Sequence, residues 1–435
     1  MLVPLNRETD WTFSTFSGHL QLLLTLPHLS RLILVSNWTN YTNPISYKMG
    51  KCDFEDDLFE VEASLMPVML ALAPELGFYR DGEVSLAPKL DFCRSGEVSE
   101  VPFLRYEDEV VEIEVLEIFE GSIVGEMLVE DVVLRFGDGE KGFRRRLRFK
   151  RMPNLVQSQM RICRNNDDKL NEEKLELKGG GERFLVDDRV LVQPYLEPMV
   201  AGMMVIGGWL DGRIRDGLRP KALCLGVGGG ALVRFLNSQM GFEVFGVEED
   251  ETVLQVGRKY FGLESSESIH LCVGDAIETI KKLAYRDSKW NGEVSSGYCK
   301  ENGWCYNRLA SKFDVIMVDM DSSDAKLGTC APPLEFIRKS VLLAAKTILS
   351  DFGALIINVI PPTKSLYEKL INELREFFAE LYVIDVGNEE NFVLIASVSD
   401  GTASGDCANA FTIKVRSSVS ESYIDSIRKI SNSVN

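Results

Sequence analysis

The run KALCLGVGGG, residues 221–230, decides the fold of this chain. Its first part, 221–227, is short and apolar without polar alternation, as a strand buried on both faces should be. Gly226, Gly228, Gly229 and Gly230 then let the backbone turn sharply and bring N–H groups close to a ligand. Residues 231–240 read as a helix, whose N-terminus adds partial positive charge to that turn. A glycine-rich turn alone is weak evidence, because many are only tight turns. Its meaning comes from the elements C-terminal to it.

Strands are expected at 243–249, 269–273, 313–319, 354–360, 382–386 and 392–398, with helices at 250–261, 276–284, 334–349 and 364–380. Such alternation implies a parallel sheet with crossover helices. The last two strands are joined only by residues 387–391, too few for a crossover, so at least one must run antiparallel. The expectation is an α/β fold with a smaller α+β region before it.

Three places on this frame carry chemistry. Glu248 ends the second strand, where a carboxylate can take ribose hydroxyls. Asp275 with Ala276 ends the third strand and suits a slot for an adenine ring. After the fourth strand come Asp319, Asp321 and Asp324, three carboxylates whose mutual repulsion is costly unless they serve a cation. The carboxyl rim of an open α/β sheet is where ligands sit. The position of the third fingerprint glycine holds Ala231, an allowed variant, so the turn by itself leaves a dinucleotide open. The Asp275 position and the acidic segment point elsewhere.

The chain has 435 residues and a formal charge of −18, from 48 Lys and Arg against 66 Asp and Glu. That field repels phosphate backbones, so no nucleic-acid partner is expected; a basic partner would be attracted. Three histidines make a His-rich metal site or a Ser/His relay hard to assemble, and no metal site is expected. Nine dispersed cysteines read as reduced thiols of the cytosol or nucleus. No apolar run reaches membrane-spanning length and no signal peptide is read, which gives a cytoplasmic expectation and makes the sequons at Asn37 and Asn40 chance matches.

Before residue 221 the reading is coarser. Residues 1–45 hold two short apolar runs, and 56–78 has helical spacing. Residues 101–136 alternate as strands with a turn at 120–122. The basic run Arg144, Arg145, Arg146, Arg148, Lys150 and Arg151 reads first as a solvated strand face, second as a surface for an acidic or phosphate partner. Polar, Gly-rich residues 164–182 read as a linker between an N-terminal α+β region, 1–163, and the main domain, 183–435.

The run from 221 to 398 resembles the class I (Rossmann-like) methyltransferases, whose sheet has seven strands. The resemblance implies S-adenosyl-L-methionine as cofactor, with Gly226, Gly228 and Gly230 bracketing its methionine part, Glu248 on the ribose, and Asp275 and Ala276 flanking adenine. Tyr195 and Glu197, with the acidic segment, resemble the spermidine synthase-like branch. Polyamine synthases usually carry Gly-Asp-Gly in the first turn, and this chain has Gly228, Gly229 and Gly230. A closer resemblance, to the methyltransferase-like protein 13 family, is carried by 316–322, Asp324, Leu327, Gly328, Cys330, Pro332, Pro333, Arg144, Arg145, 154–158 and 199–202. It covers about residues 140–398 and implies the C-terminal, spermidine synthase-like half of that family. The activity implied is methylation of a protein amine, the N-terminal α-amine of translation elongation factor 1-alpha, with Asp319, Asp321 and Tyr195 as catalytic residues. Aminopropyl transfer and a non-catalytic cofactor-binding homologue remain the alternatives.

Overall fold

The computed structural model describes residues 1, 3–4, 6–25, 32–36, 47–48, 76–80, 83–85, 99–103, 106, 108–137, 139–164, 184–288, 312–322, 330–387, 391–400 and 409–431. Helices α1 (Trp11–Ser14) and α2 (Phe16–Leu24) come first. Asp10 and Thr15 cap them, accepting from the Thr12 and Gly18 N–H groups that lack helical partners. A three-stranded sheet holds β2 (Leu76–Arg80) between β3 (Glu83–Ser85) and β4 (Ser99–Phe103). The helix expected over 56–78 is therefore corrected at its end: residues 76–78 are strand, and 56–75 lie outside the described residues.

The main N-terminal sheet is antiparallel throughout. It runs β1 (Tyr47–Lys48), β5 (Val110–Gly121), β6 (Gly125–Arg135), β7 (Lys141–Phe149), β8 (Met152–Arg164) and β9 (Phe184–Asp187). β5 and β6 form the hairpin expected from the alternation and the turn near 121. The expected linker lies outside the described residues but for Arg164, which ends β8; β9, just beyond it, pairs with β8.

The basic run does not form a solvated face. It occupies β7 and the turn after it, where Arg145 makes a forked pair with Asp131, both contacts at 2.7 Å. Arg148 is buried between Asp10 at 3.1 Å and Glu130 at 2.9 Å. Guanidinium groups are tolerated there because carboxylates from neighbouring elements meet them.

The second sheet holds β10 (Lys221–Leu225), β11 (Glu243–Glu248), β12 (Ile269–Val273), β13 (Phe313–Val318), β14 (Leu349–Val359), β15 (Glu380–Asp385), β16 (Phe392–Ser397) and β17 (Arg428–Lys429). Its order is β12-β11-β10-β13-β14-β16-β15-β17, with parallel pairing from β12 to β14 and antiparallel pairing beyond. This is the expected class I, Rossmann-like α/β fold, including the antiparallel closing pair. The sheet has eight strands rather than seven, the additional one being two-residue β17 at the edge. Among the crossover helices are α5 (Ala231–Ser238), α6 (Glu251–Tyr260), α7 (Ala276–Ser288), α8 (Lys339–Ile348) and α9 (Lys364–Phe377); α3 (Leu196–Ala201) and α4 (Gly207–Arg215) precede β10. The helix expected over 334–349 breaks at Arg338, which is extended between a 3₁₀ turn and α8.

The two main sheets share one core. Met127, Val129 and Leu147 pack in the same buried cluster as Met199, Ala222 and Met317. Apolar surface is thus removed from water between the sheets as well as within each.

Candidate active site

Chain order reverses direction between β10 and β13, the point at which open α/β sheets bind ligands. A cavity of about 370 Å³ opens there, at the carboxyl ends of β10 to β13. Tyr195, Gly226, Gly228, Glu248, Asp275, Ala276, Asp319 and Asp321 all line it. Gly230 does not: a Cβ on it would stand 2.7 Å from Leu263 Cδ1, so this position packs the turn against the loop after α6. Glu197 also turns away and accepts from the Ser420 N–H. Asp324 lies outside the described residues.

The turn after β10 needs glycine for close packing. Gly226 has φ +82, and a Cβ there would meet the Asp319 carbonyl oxygen at 2.0 Å. Gly228, at φ +52, approaches Ser158 Oγ to 2.6 Å in the same sense. Ser158 accepts from the Gly229 N–H at 2.8 Å, so β8 of the first sheet anchors the loop of the second.

Glu248 organises that loop further. Its Oε2 accepts from the Val227 and Gly228 N–H groups at 3.1 and 3.0 Å. Its Oε1 accepts from Glu249 at 3.1 Å and Asp250 at 3.4 Å. Burial pushes its carboxyl above the usual range, although these four donors pull the other way. Asp275 is exposed and accepts from the Glu278 N–H at 2.9 Å, while Ala276 beside it is buried.

Asp319 is the electrostatic centre. Tyr195 Oη donates to its Oδ2 and Asn358 Nδ2 to its Oδ1, each at 3.2 Å. Burial, together with the charges of Asp321 and Glu248, pushes its carboxyl up to about 7 despite those two donors. Burial and the Asp319 charge hold the Tyr195 phenol well above its ordinary value, so it remains a donor. Asp321 faces Arg151 at 3.6 Å. Glu248, Glu249, Asp275, Asp319, Asp321 and Glu335 line the cavity with Arg151 as the lone Lys or Arg among the described residues, a setting that favours a cationic ligand.

Several lining residues escape the strand-and-turn reading. Asn358 sits on β14 and accepts from Asn391 Nδ2 at 3.2 Å, which fixes its amide toward Asp319. Polar Asn358 within the apolar run 354–360 is the signal that could have found it. Gln157 and Ser158 lie in the 154–158 motif, which by itself assigns no role. Gln157 Nε2 is buried and lacks a hydrogen-bond partner among the described residues, as a group awaiting a ligand would be. Ile123 and Val124, at the β5–β6 tip, come from a region that reads only as a hairpin. Among the described residues, no group of three or more His, Cys, Asp or Glu side chains is arranged to hold a metal, and no helix is long and apolar enough to cross a membrane.

No family model matches the chain. Among curated proteins, the eEF1A lysine and N-terminal methyltransferase of Danio rerio is 26% identical over 409 residues, covering 92% of this chain and 51% of that protein. The Homo sapiens protein of the same name is 24% identical over 409 residues, covering 91% and 50%. The chain therefore spans about half the length of these relatives. The crystal structure of human methyltransferase-like protein 13 with SAH matches 56% of this chain and 97% of that one, at 22% identity and a TM-score of 0.40. The resemblance carried by separated motifs is thus met again as continuous similarity: over nine-tenths of its length this chain is similar to the eEF1A lysine and N-terminal methyltransferases.

Proposed function

We propose that this chain is an S-adenosyl-L-methionine-dependent methyltransferase acting on a protein amine, and that its substrate is the N-terminal α-amine of elongation factor 1-alpha. The observation that carries this reading is Asp319, a partly buried carboxyl with a value near 7 that lines an acidic cavity at the sheet's switch point. The cavity suits the cofactor: its glycine turn admits no side chain at Gly226, Glu248 and Asp275 sit at successive strand ends, and Gln157 offers an unused donor.

When bound, the cofactor supplies a methyl group on cationic sulfur, open to in-line attack by a neutral amine. This chain's residues would do the rest. Glu248 would share its lone pairs with the ribose, Ala276 would flank adenine, and Asp321 would hold the incoming ammonium. Asp319 would take the amine's proton while Tyr195 and Asn358 keep its carboxylate aimed. An acceptor near 7 is well matched to an α-amine of about 7.7–8.0 and lies roughly three units below a lysine near 10.4, so the α-amine yields its proton at far smaller cost.

Calorimetry tests the cofactor assignment directly. S-adenosyl-L-methionine should bind in preference to its decarboxylated form. The opposite preference would replace methyl transfer with aminopropyl transfer, and failure of both to bind would defeat the cofactor reading itself.

A further inference from the structure

The β5–β6 hairpin reaches across from the first sheet and is fastened to α6 of the second. Asp250, buried completely, is the fastener. Its Oδ1 caps α6 by accepting from the Thr252 N–H at 2.9 Å. Its Oδ2 accepts from the Ile123 and Val124 N–H groups, at 2.7 and 3.1 Å, from a hairpin tip 127 and 126 positions away in sequence. Gly121 makes the approach possible, since a Cβ there would lie 2.6 Å from Asp250 Oδ2. Further contacts run along the same seam: Lys259 and Tyr260 both meet Glu117, and Phe119 packs edge-on against Tyr260. Burial alone would raise the Asp250 carboxyl, yet the three backbone donors hold it below the usual range.

This attachment places the Ile123 and Val124 tip on the cavity beside Glu248, Glu249 and Val253. If the cavity holds S-adenosyl-L-methionine, as proposed, that is its ribose side, and the role of the tip rests on that reading. Ile123 is 50% exposed and lines the cavity, so it offers apolar area that a ligand bound there would remove from water. We infer that the hairpin tip forms the outer wall of the nucleoside subsite, with Ile123 and Val124 packing on the nucleoside and Asp250 acting as the clasp that holds them there. Asp250 is thus a positioning residue, and Ile123 a specificity residue for the nucleoside end of the cofactor.

Asp250→Asn separates the two roles of this side chain. Asparagine is as good a helix cap as aspartate, so α6 keeps its acceptor. Its amide N–H₂ then faces the Ile123 and Val124 N–H groups, donor against donor, and releases the tip. S-adenosylhomocysteine affinity should fall about tenfold, equivalent to losing partial burial of one apolar side chain. Hydrogen exchange at Ile123 and Val124 should quicken in the same variant while α6 stays protected. Ile123→Ala, at a half-exposed position that folding tolerates, should weaken S-adenosylhomocysteine binding several-fold with those amides still protected. Wild-type affinity in Ile123→Ala, or in Asp250→Asn with its tip amides released, would overturn the inference. Tip amides still protected in Asp250→Asn would remove Asp250 as the clasp. Absence of S-adenosylhomocysteine binding to the unaltered protein would instead defeat the cofactor reading itself.

Discussion

Tyr195 donates its phenol to Oδ2 of Asp319 at 3.2 Å, across 124 positions of sequence. The residue just before α3 thus reaches the end of β13 and stabilises the charged form of the carboxyl proposed as proton acceptor. Tyr195→Phe removes that donor, which should move the Asp319 value above about 7. The acidic limb of the methyl-transfer rate should shift to higher pH, with activity at pH 7 down roughly tenfold, the worth of a hydrogen bond to a charged group. A pH–rate profile checks this, and an unshifted limb would detach Tyr195 from Asp319 in function.

The raised Asp319 value also has a consequence for stability. The group binds a proton in the folded protein up to about pH 7, but in the unfolded chain only up to about pH 3.8. Between those values the folded state holds more protons, so this group's contribution to unfolding free energy falls as pH rises and levels off above pH 7. Asp319→Asn removes that effect while remaining able to hydrogen-bond Tyr195 and Asn358. The variant should match wild type in thermal stability near pH 4 and exceed it increasingly toward pH 7. Parallel melting curves across that range would contradict the assignment.

How much of the fold and site is legible in the sequence depends on how locally each feature is encoded. The parallel strands are legible because continuous apolar runs such as 313–318 and turn glycines such as Gly226 are local signals. The positions of Glu248, Asp275 and Asp319 come with them, because a strand's end fixes where its last side chains project. The partners of those residues are not legible. Ser158, Asn358 and the Ile123 tip enter the cavity through pairings between distant elements, and one sequence does not encode such pairings locally. The buried Arg148 illustrates the same limit: its run reads as solvated because Asp10 and Glu130, which meet it, lie far from it in the chain.

Glu248→Ala should weaken S-adenosylhomocysteine binding by about 1–3 kcal/mol, since a charged acceptor is lost and its backbone donors are left partly unsatisfied. The Val227 and Gly228 N–H groups would lose their shared acceptor, so their amide exchange should quicken too. Unchanged affinity in titration calorimetry would take Glu248 out of the site.

Two glycines with positive φ separate space from strain. At Gly125, φ is +73 and nothing lies within 4 Å of an added Cβ; at Gly226, φ is +82 and a backbone oxygen stands 2.0 Å away. Gly125→Ala should cost about 1–2 kcal/mol, the left-handed penalty alone. Gly226→Ala should cost more than about 3 kcal/mol, or fail to fold, because the end of β13 must also move. Similar losses at both positions in denaturant melts would show that the Gly226–Asp319 approach is not tight.

Methyl transfer to a protein α-amine, the proposed reaction, is tested by locating the methyl group on its product. The protein is incubated with methyl-labelled S-adenosyl-L-methionine and purified elongation factor 1-alpha whose N-terminus is either free or acetylated, and the labelled position is mapped by mass spectrometry. Label is expected on the N-terminal nitrogen of the free form and none on the acetylated form. Equal labelling of both forms, or label confined to lysine side chains, would contradict it.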